Sequence, residues 1–306
     1  MKFDLGEVLT RTLKIGWKHK VLWLWQMLPG LLMVVFMPLM FIFNPGVLSL
    51  MPEPYSQYAN EPWIFLLFIG LTFLLMIPAG FLGVLAQQTT TYGALKAEKG
   101  AEQLGFKELF QESLPYFWRV FGLYAIFIGT WMVVWFGFMI IFMAGSMITM
   151  GLASFCFMPI FFLLIPALLV GYSILEFAQA AIIADDMKIL DAIKRGWELF
   201  RANWLGIVIF TLILYFGMTV ISSVLFTPMS MLPMVMMPFL LGAQGEPSVW
   251  MMVAFAGFFS LMIFVIYIVQ GVLMAFFQSA WAVLYLRLRG TADDSSDMKV
   301  VMAEGQ

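Results

Sequence analysis

The chain has 306 residues, 63% of them hydrophobic and 11% charged, with a formal net charge of -2. A soluble domain is nearer a quarter charged, so the composition excludes a soluble enzyme and points to an all-α integral membrane protein. One histidine, His19, leaves no histidine-based catalytic or metal constellation, and one cysteine, Cys156, leaves no internal disulfide.

Residues 3–20 predict an amphipathic helix, with Leu5, Val8, Leu9, Thr12, Leu13 and Gly16 on one face and Glu7, Arg11, Lys14 and Lys18 on the other. The apolar run over 21–43 is too long for a signal-peptide core and has no small-residue cleavage site after it, so it reads as a retained first span. A polar loop over 44–62 leads to a second span from Trp63 to about Gly93, which ends on Gln87, Gln88, Thr89, Thr90 and Thr91. Within 94–119 a second amphipathic segment carries Leu109, Phe110, Ser113 and Phe117 on its apolar side. Glu108 and Glu112 are like charges one turn apart and Pro115 interrupts the pattern, so this is the poorest helix of its kind.

A third span over about 120–144 turns tightly near GSMITMG into a fourth over 152–183. The segment 184–204, ADDMKILDAIKRGWELFRANW, is the clearest amphipathic helix. Leu190, Ile193, Trp197 and Phe200 fall on one face, and Asp191, Lys194, Arg195, Glu198 and Arg201 on the other. A fifth span covers 204–226, a Pro- and Met-rich loop covers 227–248, and a sixth span lies within 249–286. Met229, Met231, Met234, Met236 and Met237 in that loop could ligate Cu(I). Among 26 methionines, apolar filling of an interfacial loop explains them more simply. Residues 291–306 read as a disordered cytoplasmic tail.

The predicted fold is therefore six transmembrane helices arranged as three hairpins, each preceded by a cytoplasmic interfacial amphipathic helix, in one membrane domain over 1–290. The hairpin ends align without gaps as QQTTTYGALK, QAAIIADDMK and QSAWAVLYLR. Gln87, Gln179 and Gln278 each stand nine residues before a basic residue, giving repeat units of about 3–100, 105–188 and 189–289. All 16 Lys and Arg fall within 1–20, 93–119, 184–203 and 287–306. By the positive-inside rule these segments and both termini face the cytoplasm of a multi-pass protein.

Glu176 is the only acid inside an apolar run, and Gln179 lies one turn on along the same face. An ionisable group at membrane depth marks a candidate polar site, to which the alignment adds Gln87 and Gln278. The same groups can equally be hydrogen-bonded glue between helices. Gly271, Ala275 and Ser279, and Ala79 with Gly83, form stripes that permit close helix approach. Arg11, Lys14, Lys18, Lys194, Arg195 and Arg201 are candidate contacts for anionic lipid headgroups, or simply mark topology. There is no P-loop, dinucleotide fingerprint, HExxH, CxxC pair or GxSxG, so no catalytic residue, metal site or cofactor is expected, and no nucleic-acid partner.

The pattern AIIADDMKILDAIKRGWELFRANWLGIVIFTLIL from Ala181, and the opening FDLGEVLTRTLKIGWKHKVLWLW from Phe3, resemble multi-span bacterial membrane proteins related to the membrane domain of glycerophosphoryl diester phosphodiesterases. Gly196 stands where that family often has serine. Because the phosphodiesterase activity of fused members resides in a separate domain, the resemblance implies a membrane module without catalytic residues, set in a bacterial inner membrane. The sequence thus leads to a non-enzymatic, lipid-interacting or accessory membrane protein, with a small-solute or lipid transporter using Glu176 as the alternative. Membrane lipids are the expected partners, and a protein partner or self-association is left open.

Overall fold

A computed structural model describes residues 4–49, 56–242 and 249–304. Of the described residues 91% are helical and none forms a strand. The order is α1 (Leu5–Lys18), α2 (Val21–Ile42), α3 (Pro45–Leu48), a 3₁₀ turn (Ser56–Asn60), α4 (Pro62–Glu98), α5 (Phe106–Ser113), a second 3₁₀ turn (Leu114–Tyr116), α6 (Phe117–Ile148), α7 (Ala153–Asp185), α8 (Ile189–Ala202), α9 (Trp204–Gly242) and α10 (Val249–Glu304). Five helical stretches among the described residues are long and apolar enough to cross a membrane: Pro62–Glu98, Phe106–Ile148, Leu164–Asp185, Trp204–Thr227 and Ser260–Gly290. A shorter apolar stretch, Val21–Val34, lies in α2. The protein is thus all-helical and membrane-embedded.

Local chemistry sets the helix ends. Asp4 caps α1, its carboxylate accepting from the Gly6 and Glu7 amides at 2.8 and 3.4 Å. At the end of α4, Gly100 adopts φ +102° while the Ala101 amide reaches the Lys96 carbonyl at 3.2 Å, a Schellman ending that favours glycine. The expected tight turn near 145–151 is closed the same way. Met150 is left-handed, and the Gly151 amide donates to the Ser146 carbonyl at 2.7 Å. Pro78, Pro159 and Pro166 sit inside long helices, as neighbouring groups in a membrane bundle permit.

Two differences from the sequence reading concern length. Helix α9 does not stop at Phe226 but runs on to Gly242, replacing most of the expected Met-rich loop over 227–248, and residues 243–248 lie outside the described ones. The stretch 227–242 is rich in Leu and Met, both good helix formers, and it stays helical across Pro228, Pro233 and Pro238. Helix α10 likewise continues to Glu304, across most of the segment 291–306 that composition reads as a tail.

The chain divides into two compact units, and the division falls within α4, α9 and α10. The unit of residues 20–87 and 216–275 is held by close approach of α2 and α10. A Cβ on Gly30 would stand 2.6 Å from the Tyr267 ring, and one on Gly271 would stand 3.1 Å from the Met27 backbone nitrogen. The Gly271 end of the predicted small-residue stripe is therefore a true contact. The Gln26 side chain also donates to the Ala86 carbonyl at 3.3 Å.

The unit of residues 1–19, 88–215 and 276–306 has an aromatic centre at Trp281, which packs edge-on against Phe177 and Phe210. All three of these side chains are fully buried. Each amphipathic helix seats a buried pair one turn apart: Thr12 and Gly16 in α1, Leu109 and Ser113 in α5, Ala192 and Gly196 in α8. A Cβ on Gly16 would strike the Phe276 ring, and one on Gly196 would stand 2.8 Å from the Ile174 carbonyl oxygen of α7.

The contact through Gly196 fixes which side of α8 packs on α7. Its packed side is Ala192, Gly196, Leu199 and Phe200, while Leu190 and Trp197 are exposed. Backbone proximity at glycine outweighs the burial of the larger side chains. Helix α5 is also better supported than its like charges suggest, because Lys96 pairs with both Glu108 and Glu112, the latter at 2.7 Å. His19, which closes α1, is buried; desolvation, with the nearby Lys18 charge, lowers its pKa and favours the neutral ring.

Candidate functional site

The polar residues at the ends of the apolar runs come together in one buried chain of hydrogen bonds. The Tyr124 hydroxyl of α6 donates to Gln179 Oε1 at 2.7 Å. Gln179 Nε2 of α7 donates to Thr91 Oγ1 of α4 at 2.9 Å. Thr91 in turn donates to Gln278 Oε1 of α10 at 3.2 Å, and Gln278 Nε2 donates to Glu176 Oε1 at 3.2 Å. Tyr172, one turn before Glu176, hydrogen-bonds the same carboxyl group.

Four helices thus meet through amides, hydroxyls and one acid, and every donor along the chain points toward Glu176. Such an ordered chain reinforces each of its bonds. Glu176 is only 2% exposed, and Thr91, Gln179 and Gln278 are buried. Nearby, Ser173 Oγ and Thr211 Oγ1 lie 3.2 Å apart and tie α7 to α9.

Of the predicted polar site, Glu176, Gln179 and Gln278 are brought together. Gln87 falls in the other unit, half-buried, and the link between Gln179 and Gln278 is made by Thr91, one turn beyond it. The aligned glutamines suggested Gln87 for that place. A threonine on α4 fills it because its short hydroxyl can accept from one amide and donate to the next.

A set of ion pairs joins α1, α4, α6, α7 and α10, and most of its acids are not marked by the sequence pattern. Arg11 binds Glu98 at 2.7 Å, and Arg287 binds Glu7 at 2.8 Å and Glu98 at 3.4 Å. Asp185 accepts from the Tyr285 hydroxyl and pairs with Arg289. Arg119 meets the Asp186 carboxylate at 2.6 Å and the carbonyls of Asp186 and Met187 at 3.1 and 3.2 Å. It thereby holds the left-handed residue that ends α7. The available signal was position: these acids lie within a few residues of the aligned hairpin ends.

Among the predicted headgroup contacts, Lys14, Lys18, Lys194 and Arg201 are exposed. Arg11 is engaged with Glu98, and Arg195 is half-buried, with its charge near the Tyr285 hydroxyl. The exposed line of α8 and its junction with α9 is Leu190, Lys194, Trp197, Arg201 and Trp204. These residues are spaced i, i+4, i+7, i+11 and i+14, so they form one stripe of alternating apolar and cationic side chains. In α1, Lys14 and Trp17 repeat the arrangement, each exposed beside the buried Gly16. Among the described residues no cluster of three or more His, Cys, Asp or Glu could hold a metal ion.

A family model described as a domain of unknown function (DUF7847) matches residues 28–288. The chain belongs to this family. The match takes in the whole polar chain and helix α8, and it begins after α1. No curated protein and no solved structure matches.

Proposed function

We propose that this family member is a non-enzymatic integral membrane protein, with an accessory or scaffolding role in the cell membrane exercised through its lipid contacts. One observation carries the reading: the stripe Leu190, Lys194, Trp197, Arg201 and Trp204 faces outward while Ala192 and Gly196 fix the opposite side of α8 against α7. Apolar rings and leucine enter the acyl boundary while Lys and Arg reach phosphates, the arrangement that suits an interfacial helix. In this reading α2 supplies the sixth span. Three hairpins, each led by α1, α5 or α8, place both termini and all the basic segments on the cytoplasmic side of a bacterial inner membrane. The resemblance to phosphodiesterase membrane domains agrees with an accessory module.

The buried chain ending at Glu176 supports the same view. Its members satisfy one another and are shielded, as interhelical glue requires. A transporter would need that chain to open to a solute path, and an enzyme would need the shielded Glu176 to reach a substrate.

The test is lipid retention. The full-length protein is purified in mild detergent with and without Lys194→Ala/Arg201→Ala, and bound phospholipids are counted by native mass spectrometry. Arg195 is left intact because it is half-buried. Loss of anionic lipid from the double variant, about thirtyfold for two charges each contributing about 1 kcal/mol, is the expected result. Equal retention by both proteins rejects a lipid role for α8 and shifts attention to solute flux through a Glu176→Gln variant.

A further inference from the structure

An open cleft of about 420 Å³ lies where α1 meets the end of α4 and the Arg287 turn of α10, all within one compact unit. Its charged lining is Asp4, Glu7, Arg11, Lys14, Glu98 and Arg287. Three cations and three carboxylates are therefore gathered around a space large enough for a small polar ligand. Their arrangement is graded. Glu98, the most enclosed acid, sits between Arg11 and Arg287 and orients both guanidinium groups. Arg287 reaches outward to Glu7, whose side chain is 58% exposed. Asp4 lies at the other end, its Oδ1 capping the first amides of α1. Lys14 is exposed on the cleft wall.

From this geometry we infer that the cleft binds the zwitterionic group of an aminoalkyl phosphate, with its phosphate on Arg11, Lys14 and Arg287 and its primary ammonium on Asp4 and Glu7. A lining of three cations and three carboxylates, already paired as Arg11–Glu98, Arg287–Glu98 and Arg287–Glu7, favours a ligand that carries both signs over a purely anionic one, because its phosphate and ammonium can take the place of partners within those pairs. Guanidinium groups already aimed by the partly enclosed Glu98 carboxylate suit phosphate oxygens, which they bind through paired N–H donors. The two acids require a cation with N–H donors, so a primary ammonium is preferred over a quaternary one, which has none. The inference rests on the lipid-interacting reading above, and it names the headgroup chemistry at a different helix. The group can come from a phospholipid or from a free phosphomonoester.

The experiment separates those sources on the full-length protein in mild detergent. Phosphatidylethanolamine, phosphatidylcholine and phosphatidylglycerol are titrated separately and followed by native mass spectrometry. Free O-phosphoethanolamine is followed by saturation-transfer NMR. Two variants leave the packed face of α1 untouched. Lys14→Ala removes an exposed cation, and Asp4→Asn removes a charge while keeping a side chain that caps equally well.

The expected result is retention of phosphatidylethanolamine at least about fivefold above the other two lipids, weakened about fivefold or more by each variant, as loss of one charge-assisted contact gives. Saturation transfer to O-phosphoethanolamine that both variants abolish also supports the cleft and identifies a soluble source. Equal retention of all three lipids with no transfer to the free ester overturns the proposal, as does binding that neither variant weakens. Either failure leaves the role of α8 to be decided by the Lys194→Ala/Arg201→Ala pair alone.

Discussion

Gln278 is asked to do two things at once: its carbonyl oxygen accepts from Thr91, and its amide donates to Glu176. Both partners are buried, so a side chain that can do neither strands a hydroxyl and a carboxyl together. Gln278→Leu should therefore destabilise the protein by about 1–2 kcal/mol. Glu176→Gln, which keeps an acceptor for both Gln278 and Tyr172, should cost well under about 1 kcal/mol. Thermal unfolding in detergent distinguishes the two, and a Glu176→Gln variant as damaged as Gln278→Leu would show that the negative charge itself is required. Glu176 was legible in the sequence because an acid in an apolar run has few benign explanations, and its link to Gln179 and Gln278 followed from spacing. Thr91 was not legible. It sits in a run of three threonines, and only the rotation of α4 about its axis selects which of them faces α7 and α10.

Among the elements, α8 shows how a helix's exposed faces can be legible in hydropathy while its packed ridge is not. Its boundaries and amphipathic character are written in residues 184–204, but hydropathy gives no weight to glycine. The packed ridge runs through Ala192 and Gly196, and Leu190 and Trp197 are left outside. Adding one methyl group at Gly196 tests this orientation. A Cβ there stands 2.8 Å from the Ile174 carbonyl oxygen and 3.4 Å from the Ala178 nitrogen, and both are backbone atoms, so the helices themselves must separate. Gly196→Ala should cost about 1–3 kcal/mol, the range for overpacking a tight contact, despite its gain in helix propensity. An unchanged melting temperature would mean that α8 does not rest on α7 through this residue. Gly196→Ser should be at least as costly, because it carries a Cβ into the same space. Helix α5 makes the complementary point, since Glu108 and Glu112 look mutually repulsive until Lys96 arrives from α4.

For the whole molecule, the class was the most legible feature, because 63% hydrophobic residues segregated from every cation admit few alternatives. Helix count was less so. Helices α9 and α10 continue past the points where hydropathy and composition placed a boundary. Orientation depends on the charges alone and gives the sharpest global prediction. Met150, 97% exposed in the turn between α6 and α7, belongs to a stretch without Lys or Arg, whereas Lys99 follows the end of α4 among basic residues. With Cys156 replaced by serine, Met150→Cys should react with a membrane-impermeant maleimide in right-side-out vesicles and be protected in inverted ones. Lys99→Cys should show the opposite pattern. If both cysteines react from the same side, α6 does not cross the membrane, and the three-hairpin arrangement fails at its second unit. If the two patterns are exchanged, the hairpins stand but the basic segments face outward, and the headgroups met by α1 and α8 are those of the outer leaflet. Only the expected pattern puts Lys14, Lys194 and Arg201 against the anionic cytoplasmic surface, where about 1 kcal/mol per charge is available to hold lipid.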